Sequence, residues 1–491
     1  MRELDNALRH HQAGRLVEAE KAYRNILKRH PDHADSLHLL GLIAHATGHN
    51  EEAIRLIRRA IEVNKSNSIY HTNLGVICGE QGHFDLAVML YKHALLLKPE
   101  NNDAMTNLGN AYQTSGNFVE AETCYRQVLE RDPRHALAHY NLGMSLQAQG
   151  HYNDAMRSFS HAITARPDYA DAHLALGIVQ LLTGDFAQGW PNFEWRWLVS
   201  QFKRGVRNFA QPQWRGEPLD GRRILLHSEQ GLGDSIQFLR YVTMVQAAGG
   251  IVLLEVQAAL LRMAHQIPGI TAVIPFGNPL PDFDLHCPLM SLALAFQTTL
   301  NTIPVHVPYL HVPVDAQARA LLRPWTSDRI RVGLAWAGSK DHVKDKSRSI
   351  SFAVLRQLIR VSDISFFSLQ LGEQLGAEDL ENMVDLASET DDLADTAAQM
   401  KHLDLIISVD TSIAHLAGAL GKPVWILLHC DADWRWLLAR DDSAWYPTAR
   451  LFRQTDPGNW TGVIERVATE LQRLFARDTA ETPGRTDDCE N

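Results

Sequence analysis

Three small polar residues, Asp410, Thr411 and Ser412, stand between two apolar segments. The apolar run before them, Leu403–Ile407, has the length and β-branched content of a buried strand, and Ile413–Leu420 has the composition of a helix. Ligands of open parallel sheets bind at such corners, and the first amides of a helix attract an anion. We interpret this corner as a seat for a diphosphate, with an ordinary capped helix as the alternative.

A second polar corner follows another predicted strand, Ile224–His227, in the sequence QGLGDS. Gly231 and Gly233 allow a tight turn and a close approach to a ligand. Asp234 is expected to cap the next helix and to bring its carboxylate to the corner, although capping could be its whole role. The sequence is neither a Walker loop nor a GxGxxG fingerprint, so nicotinamide chemistry is not supported.

A basic segment is suited to neutralising a diphosphate without metal, although a solvated loop would have the same composition. Within residues 333–352 its polar and basic members are Gly338, Ser339, Lys340, Lys344, Lys346 and Arg348. Lys346 and Arg348 are the favoured ligands. Gln370, which ends SFFSLQ, is a candidate contact for a base or ribose, and Arg435 in DWRW is a further diphosphate candidate.

Two successive sets of alternating strands and helices must position these corners. The first covers 221–325, and the second covers 326–475 and ends in a helix over Asn459–Phe475. This order predicts two Rossmann-like domains that face a cleft. Residues 201–220 are interpreted as a linker and 476–491 as a disordered tail. The predicted strands are Ile224–His227, Ile251–Val256, Ala272–Phe276, Phe283–Cys287, Arg331–Trp336, Ser365–Leu371, Leu405–Val409, Val424–Leu428 and Arg450–Arg453.

Residues 1–200 carry an internal repeat. Glycines recur every 34 residues at positions 14, 48, 82, 116, 150 and 184, and alanines follow in register at 19, 53, 87, 121 and 155. This period is typical of tetratricopeptide repeats, and it predicts an α-solenoid of about five repeats plus a degenerate sixth. The whole chain is thus expected to be α plus α/β.

Asn73, Asn107 and Asn141 occupy one repeat position, in TNLG, TNLG and YNLG. Such arrays wind into a superhelix whose concave wall is lined by the first helix of each repeat. Carboxamides on that wall could bind the backbone of an extended peptide, or asparagine could merely suit local packing.

Composition narrows the class of protein. The chain has 491 residues, 45% of them hydrophobic and 21% charged, with a net charge of -10. The absence of a basic block disfavours nucleic acid as a partner, and no apolar run is long enough to span a membrane. Five scattered cysteines without CxxC spacing indicate a reducing compartment. These features, with an N-terminus that lacks a signal-peptide core, predict a cytoplasmic location.

GLGDSIQFLRY and DTSIAHLAGALGKP together resemble bacterial heptosyltransferase-type glycosyltransferases. The repeats in front also resemble protein O-GlcNAc transferases, and EWRW and DWRWLL resemble a bacterial group of tetratricopeptide glycosyltransferase-like proteins. The resemblance implies the two-Rossmann GT-B fold, with a nucleotide sugar bound mainly by the C-terminal Rossmann domain.

The resemblance also implies residue roles. Asp410, Thr411, Ser412 and His415 match the block that holds the phosphates and sugar, although Gly is common where Ser412 stands. Asp234 matches the general base, which an inverting transfer needs in order to take a proton from the acceptor hydroxyl.

These observations predict a glycosyltransferase that uses a nucleotide sugar and acts on a hydroxyl, favouring that of a protein held by the repeats. The alternatives are a saccharide or lipid-linked acceptor, or a non-catalytic scaffold that senses a nucleotide sugar. We expect no metal cofactor, because the DxD pairs Asp282–Asp284 and Asp431–Asp433 are no more than chance would give.

Overall fold

The computed structural model describes residues 2–200, 205–321, 329–340, 345–372 and 383–478. The chain divides into two compact units, Met1–Val179 and Gln180–Asn491. The predicted Lys344 and the predicted tail beyond residue 478 lie outside the described residues.

Antiparallel helix pairs build the first unit, because a small residue recurs where the helices cross. Ala19, Ala53, Ala87, Ala121 and Ala155 are all completely buried. The helices of residues 2–200 are α1 (Arg2–Gln12), α2 (Leu16–Arg29), α3 (Ala34–Ala46), α4 (Asn50–Val63), α5 (Ser68–Glu80), α6 (Phe84–Leu97), α7 (Asn102–Thr114), α8 (Phe118–Arg131), α9 (Ala136–Ala148), α10 (Tyr152–Ala165), α11 (Ala170–Leu182) and α12 (Phe186–Phe193). The predicted tetratricopeptide solenoid is confirmed.

Two parallel sheets organise the second unit. The first has the order β3-β2-β1-β4, and its strands are β1 (Arg223–His227), β2 (Ile251–Val256), β3 (Ala272–Pro275) and β4 (Leu285–Pro288). The order reverses direction between β1 and β4, which makes the carboxyl end of β1 a switch point. Helices α13 (Leu232–Phe238), α14 (Val242–Ala247), α15 (Leu261–Ala264) and α16 (Leu292–Ala295) accompany this sheet.

The second sheet has the order β10-β9-β8-β5-β6-β7 in the described residues. Its strands are β5 (Ile330–Ala335), β6 (Ile364–Ser368), β7 (Met383–Asp385), β8 (Leu405–Val409), β9 (Val424–Leu428) and β10 (Ala449–Arg453). The switch point lies between β5 and β8, where Leu334 pairs with Ile407. The predicted parallel α/β part is confirmed; the short β7 is an addition that the sequence did not suggest.

The helices of the second half are α17 (Val314–Leu321), α18 (Asp345–Arg348), α19 (Phe352–Leu355), α20 (Leu393–Lys401), α21 (Ser412–Ala419) and α22 (Trp460–Asp478). Short 3-10 helices cover Glu194–Leu198, Leu239–Tyr241, Ala258–Leu260, Leu289–Ser291, Ala387–Glu389 and Trp434–Trp436. Trp460 and Ile464 of α22 belong to the apolar core of the second sheet, with Val332 and Ile407.

Candidate functional site

The turn after β1 presents Asp234 at the carboxyl edge of the first sheet. Gly231 is the N-cap residue of α13, and Asp234 is the third residue of that helix. The Gly231 amide donates to Oδ2 of Asp234 at 2.9 Å. The expectation that Asp234 itself stands at the N-cap is therefore wrong: its carboxylate reaches back from the first turn. Its side chain keeps 21% of its surface exposed.

A buried ion pair holds the start of this turn. Arg196 donates from Nε and Nη2 to both oxygens of Glu229, at 2.9 and 3.1 Å. The Met290 amide donates to Glu229 at 3.0 Å, and Glu194 receives Nη1 of Arg196 at 2.5 Å. The segment that leads to Asp234 is thus fixed by EWRW, a role that sequence reasoning missed.

The helix α21, which follows the turn after β8, begins without a side-chain cap. Thr411 is the N-cap residue of α21, yet its side chain accepts no bond from the helix. Its hydroxyl lies 3.1 Å from the hydroxyl of Ser408 instead. Because the first amides of an α-helix have no partner inside the helix, this turn offers donors beside Ser412, which is partly exposed.

His415 is buried one turn further along α21. Its Nδ1 lies 2.8 Å from the Tyr446 hydroxyl, and its ring stacks on Trp436 with centroids 5.4 Å apart. Nε2 lies 3.9 Å from Oδ1 of Asp410. Burial, assisted by the nearby Arg435, lowers the pKa of His415 to about 3, so the imidazole is neutral at physiological pH.

The pKa of Asp410 is raised, whereas that of His415 is lowered. Burial, reinforced by the charge of Asp433, raises the pKa of Asp410 to about 6. Its carbonyl oxygen accepts a bond from Nη1 of Arg348 at 3.3 Å. A carboxyl group in this environment is partly protonated near neutral pH.

The two polar corners meet. A Cβ added to Gly233 would lie 2.8 Å from Cδ2 of His415, so glycine is what allows α13 to approach α21 this closely. Asp234 also forms an ion pair with Nη2 of Arg435. Residues from the GLGD turn and the DTSIAH turn therefore line one place between the two sheets.

The guanidinium of Arg435 is surrounded by acceptors. Besides Asp234 it contacts Asp433, at 2.8 Å from Nη1, and Gln237 through Nε. It also lies 4.4 Å from the ring centre of Trp434. Burial by itself would lower the pKa of Arg435. The negative charges of Asp433 and Asp234 have the larger effect and raise that pKa. Its predicted diphosphate contact stays a prediction.

The basic segment divides into a partly buried and an exposed part. Arg348 lies against Gly338, where an added Cβ would clash with its guanidinium, and it reaches the carbonyl of Asp410. Arg348 thus lies at the switch point between β5 and β8. Lys346 and Lys340 are exposed.

The side chain of Gln370 forms hydrogen bonds with backbone groups of this chain. Its Oε1 accepts from the Trp336 and Ala337 amides at 2.9 and 2.8 Å, and its Nε2 donates to the Leu371 carbonyl at 3.0 Å. The side chain thereby fixes the turn after β5, and its contact with a base or ribose stays a prediction.

Arg240 is another residue that sequence reasoning missed. It donates to the carbonyls of Trp445 and Pro304 at 2.7 and 3.2 Å and to the Tyr309 hydroxyl at 3.2 Å. Its guanidinium lies 4.7 Å from the ring centre of Tyr446, which in turn contacts His415. Arg240 thus connects the helices of the first sheet to Tyr446, the residue whose hydroxyl contacts His415.

The three repeat asparagines differ in accessibility. Asn141 is buried and donates to Asn110 at 2.8 Å, and Asn73 lies 2.8 Å from Nε2 of His38. Asn73 and Asn107 both line a cavity of about 250 Å³, with Asn101, Asp103 and His135. The peptide-binding role of all three stays a prediction.

The described residues hold neither a cluster of metal-ligating side chains nor a membrane-spanning helix. No group of three or more His, Cys, Asp or Glu side chains there is arranged as a metal site. None of the described helices combines the length and apolarity of a membrane span.

Comparison with protein families matches both parts of the chain. Residues 4–69, 69–101 and 100–168 match tetratricopeptide repeat models. Residues 372–429 match glycosyltransferase family 9 (heptosyltransferase). The last match contains the DTSIAH turn, and the predicted resemblance to a tetratricopeptide glycosyltransferase is confirmed.

Protein FlbA of Caulobacter vibrioides is 25% identical over 330 residues, which cover 61% of this chain and 54% of that protein. The chain therefore spans about half the length of this relative. Among solved structures, Pseudomonas aeruginosa PilF is 17% identical with a TM-score of 0.38. The match covers 40% of this chain and 90% of the PilF chain. MamA has a TM-score of 0.31 at 21% identity, covering 33% and 96%.

Proposed function

We propose that this chain is a glycosyltransferase that moves a sugar from a nucleotide diphosphate sugar to an acceptor hydroxyl. The observation that carries the proposal is the meeting of two switch-point turns, with Asp234 from one and Thr411 and Ser412 from the other. Polar groups in the crevice beyond the carboxyl ends of parallel strands are where open α/β sheets bind ligands. The family 9 match over residues 372–429 supports the same reaction class.

In the proposed reaction Asp234 accepts the proton of the acceptor hydroxyl. The acceptor oxygen bonds to the anomeric carbon as the bond from that carbon to the diphosphate breaks, and the diphosphate leaves with the electron pair. Attack from the face opposite the leaving group inverts the anomeric centre. The partial exposure of the Asp234 side chain supports this role.

The leaving diphosphate would lie at the start of α21. The amides of the first turn, the hydroxyls of Thr411 and Ser412, and Arg348 would stabilise its growing charge. Gly231 and Gly233 would let the backbone come close to the donor. Asp410 and the neutral His415 would orient its sugar or phosphate. Lys346 and Gln370 are proposed as outer contacts of the nucleotide.

The acceptor is proposed to be a protein segment in the groove of the repeats. The cavity beside Asn73 and Asn107 supports this, because carboxamides can bond to a peptide backbone whatever its sequence. Replacing Asn73, Asn107 and Asn141 by Ala should weaken peptide binding at least tenfold. Unchanged peptide affinity would favour a saccharide or lipid-linked acceptor.

The reaction class can be tested with the full chain. Calorimetric titration with UDP-, GDP- and ADP-sugars should show binding of at least one, and release of the free nucleotide should follow at a slow rate. Asp234→Asn should bind the donor without releasing nucleotide. Absence of any donor binding would favour a non-catalytic scaffold, and binding without turnover by the unaltered chain would favour a sensor.

We further propose that transfer is metal-independent and takes place in the cytoplasm. Activity should persist in excess chelator. Complete loss that manganese restores would overturn the metal-independent mechanism, since it would require a cation to hold the diphosphate.

A further inference from the structure

Asp234, from the region of the first sheet, is contacted by Arg435 from the region of the second. Both oxygens of Asp234 are engaged: Oδ2 by the Gly231 amide at 2.9 Å, and Oδ1 by Nη2 of Arg435. The first contact belongs to its own turn, whereas the second comes from a residue 201 positions away. The orientation of the carboxylate therefore depends on the position of Arg435.

Arg435 is itself held from several directions. Asp433 accepts both the Arg435 amide at 3.0 Å and Nη1 at 2.8 Å, which fixes backbone and guanidinium together. Gln237, on the same helix as Asp234, accepts Nε of Arg435. Only 8% of the Arg435 side chain is exposed, and Trp434 covers one face of it.

This arrangement suits a positioning group better than a phosphate ligand. A guanidinium binds phosphate by presenting its donors as a fork, but here two carboxylates and an amide already receive them. An approaching diphosphate would have to displace Asp433 or Asp234, and each carboxylate would repel it. Asp234, in contrast, gains a carboxylate that is oriented by two donors while 21% of its side chain stays exposed.

We propose that Arg435 is a positioning residue for Asp234, so that the catalytic base is complete only while DWRW of the second α/β region lies against helix α13 of the first. The inference rests on the proposed function, because it assigns Asp234 the proton transfer. It differs from the sequence-based interpretation, in which Arg435 contacts the diphosphate directly.

The kinetic test compares R435M and R435K in the full chain, using the fastest substrate among UDP-, GDP- and ADP-glucose with water as acceptor. R435M should lower kcat at least tenfold while KM for the donor changes less than threefold. R435K, which keeps the charge without the fork, should recover part of kcat. R440M is the matched control: Arg440 pairs with Asp442 at the same two-residue spacing, at the surface, and should leave both constants unchanged.

A rise in KM and in the donor dissociation constant with kcat preserved would overturn the inference, because it would make Arg435 a diphosphate ligand. A second measurement does not depend on turnover. The unfolding midpoints of D234N, R435M and the double variant should be non-additive, since each substitution removes the same ion pair. Additive midpoints would refute the coupling, whereas a chain that binds no donor but shows non-additivity would refute only the proposed function.

Discussion

Two segments of similar sequence, EWRW and DWRW, contact opposite ends of the turn that follows β1, but they differ in how far the acid they contact is buried. Arg196 pairs with Glu194 two residues before it and with Glu229, and Arg435 pairs with Asp433 and Asp234 in the same way. Glu229 and Asp234 are the two acids of the turn that follows β1. In both segments an acid stands two residues before the arginine, and the arginine also pairs with one acid of this turn.

Burial separates the two acids of the turn, Glu229 and Asp234. The side chains of Arg196 and Glu229 are 1% and 2% exposed, whereas Asp234 and Asp433 are 21% and 36% exposed. A carboxylate that is sealed with its partner has no access to a substrate, so Glu229 can only hold the turn. A partly open carboxylate can exchange a proton with a hydroxyl. Under the proposed function, the same residue pattern is structural at Glu229 and reactive at Asp234, because only Asp234 has solvent access.

The largest effect is expected from breaking the sealed cluster. Arg196→Met leaves Glu229 buried without its bidentate partner, which should lower the free energy of unfolding by about 3–5 kcal/mol. Chemical denaturation followed by tryptophan fluorescence measures this. Arg196→Lys, which retains one charged donor, should lose less. A loss below about 1 kcal/mol for Arg196→Met would mean that the turn is held by other contacts.

The next effect separates stability from reactivity. Asp234→Asn should lower transfer about 100-fold or more, because general base catalysis typically contributes that much, with little loss of donor affinity. Glu229→Gln is the matched substitution in the same turn, and it should reduce stability more than Asp234→Asn does. Equal turnover for Asp234→Asn and the unaltered chain would remove Asp234 from the reaction.

Much of this arrangement could be predicted from local sequence. The 34-residue period gave the solenoid, and β-branched runs such as Leu405–Val409 and Val424–Leu428 gave strands with the observed bounds. Small polar residues after those runs located the turn at Thr411. In each case the signal lies within a few consecutive residues.

Other features could not be predicted, because their partners are distant in sequence. Asp234 and Arg435 are 201 positions apart, and Arg240 and Trp445 are 205 apart, so neither contact leaves a local pattern. Strand β7, Met383–Asp385, is too short to show a hydrophobic period. The environment of His415, similarly, is set by Tyr446 and Trp436 rather than by its own helix.

A moderate effect is expected from the pH dependence of donor binding. The pKa of Asp410 is raised to about 6, so this carboxyl group loses its proton and becomes charged as pH rises from 5 to 7.5. The diphosphate of a nucleotide sugar stays doubly negative over this range, so its affinity should fall with rising pH, by about tenfold or ~1.4 kcal/mol. Calorimetry on either side of pH 6 measures the change.

Asp410→Asn should bind the donor with nearly the same affinity at both pH values. The other charged groups that face Asp410 are Asp433, Arg435 and Arg348, and His415 stays neutral because its pKa is about 3. An affinity that rises with pH would contradict the placement of the diphosphate beside Asp410, because deprotonation there can only add repulsion.

The smallest effect should come from a third pair with the same spacing. Arg440 and Asp442 approach within 2.6 Å, but their side chains are 30% and 72% exposed. Arg440→Met should change the free energy of unfolding by less than about 1 kcal/mol, because water screens such a pair and both side chains lose rotamer freedom in forming it. If denaturation instead showed a loss comparable to that of Arg196→Met, the two-residue spacing itself would be the stabilising element. Burial would then no longer explain why Arg196 holds the turn while Arg435 is proposed to position a reactive carboxylate.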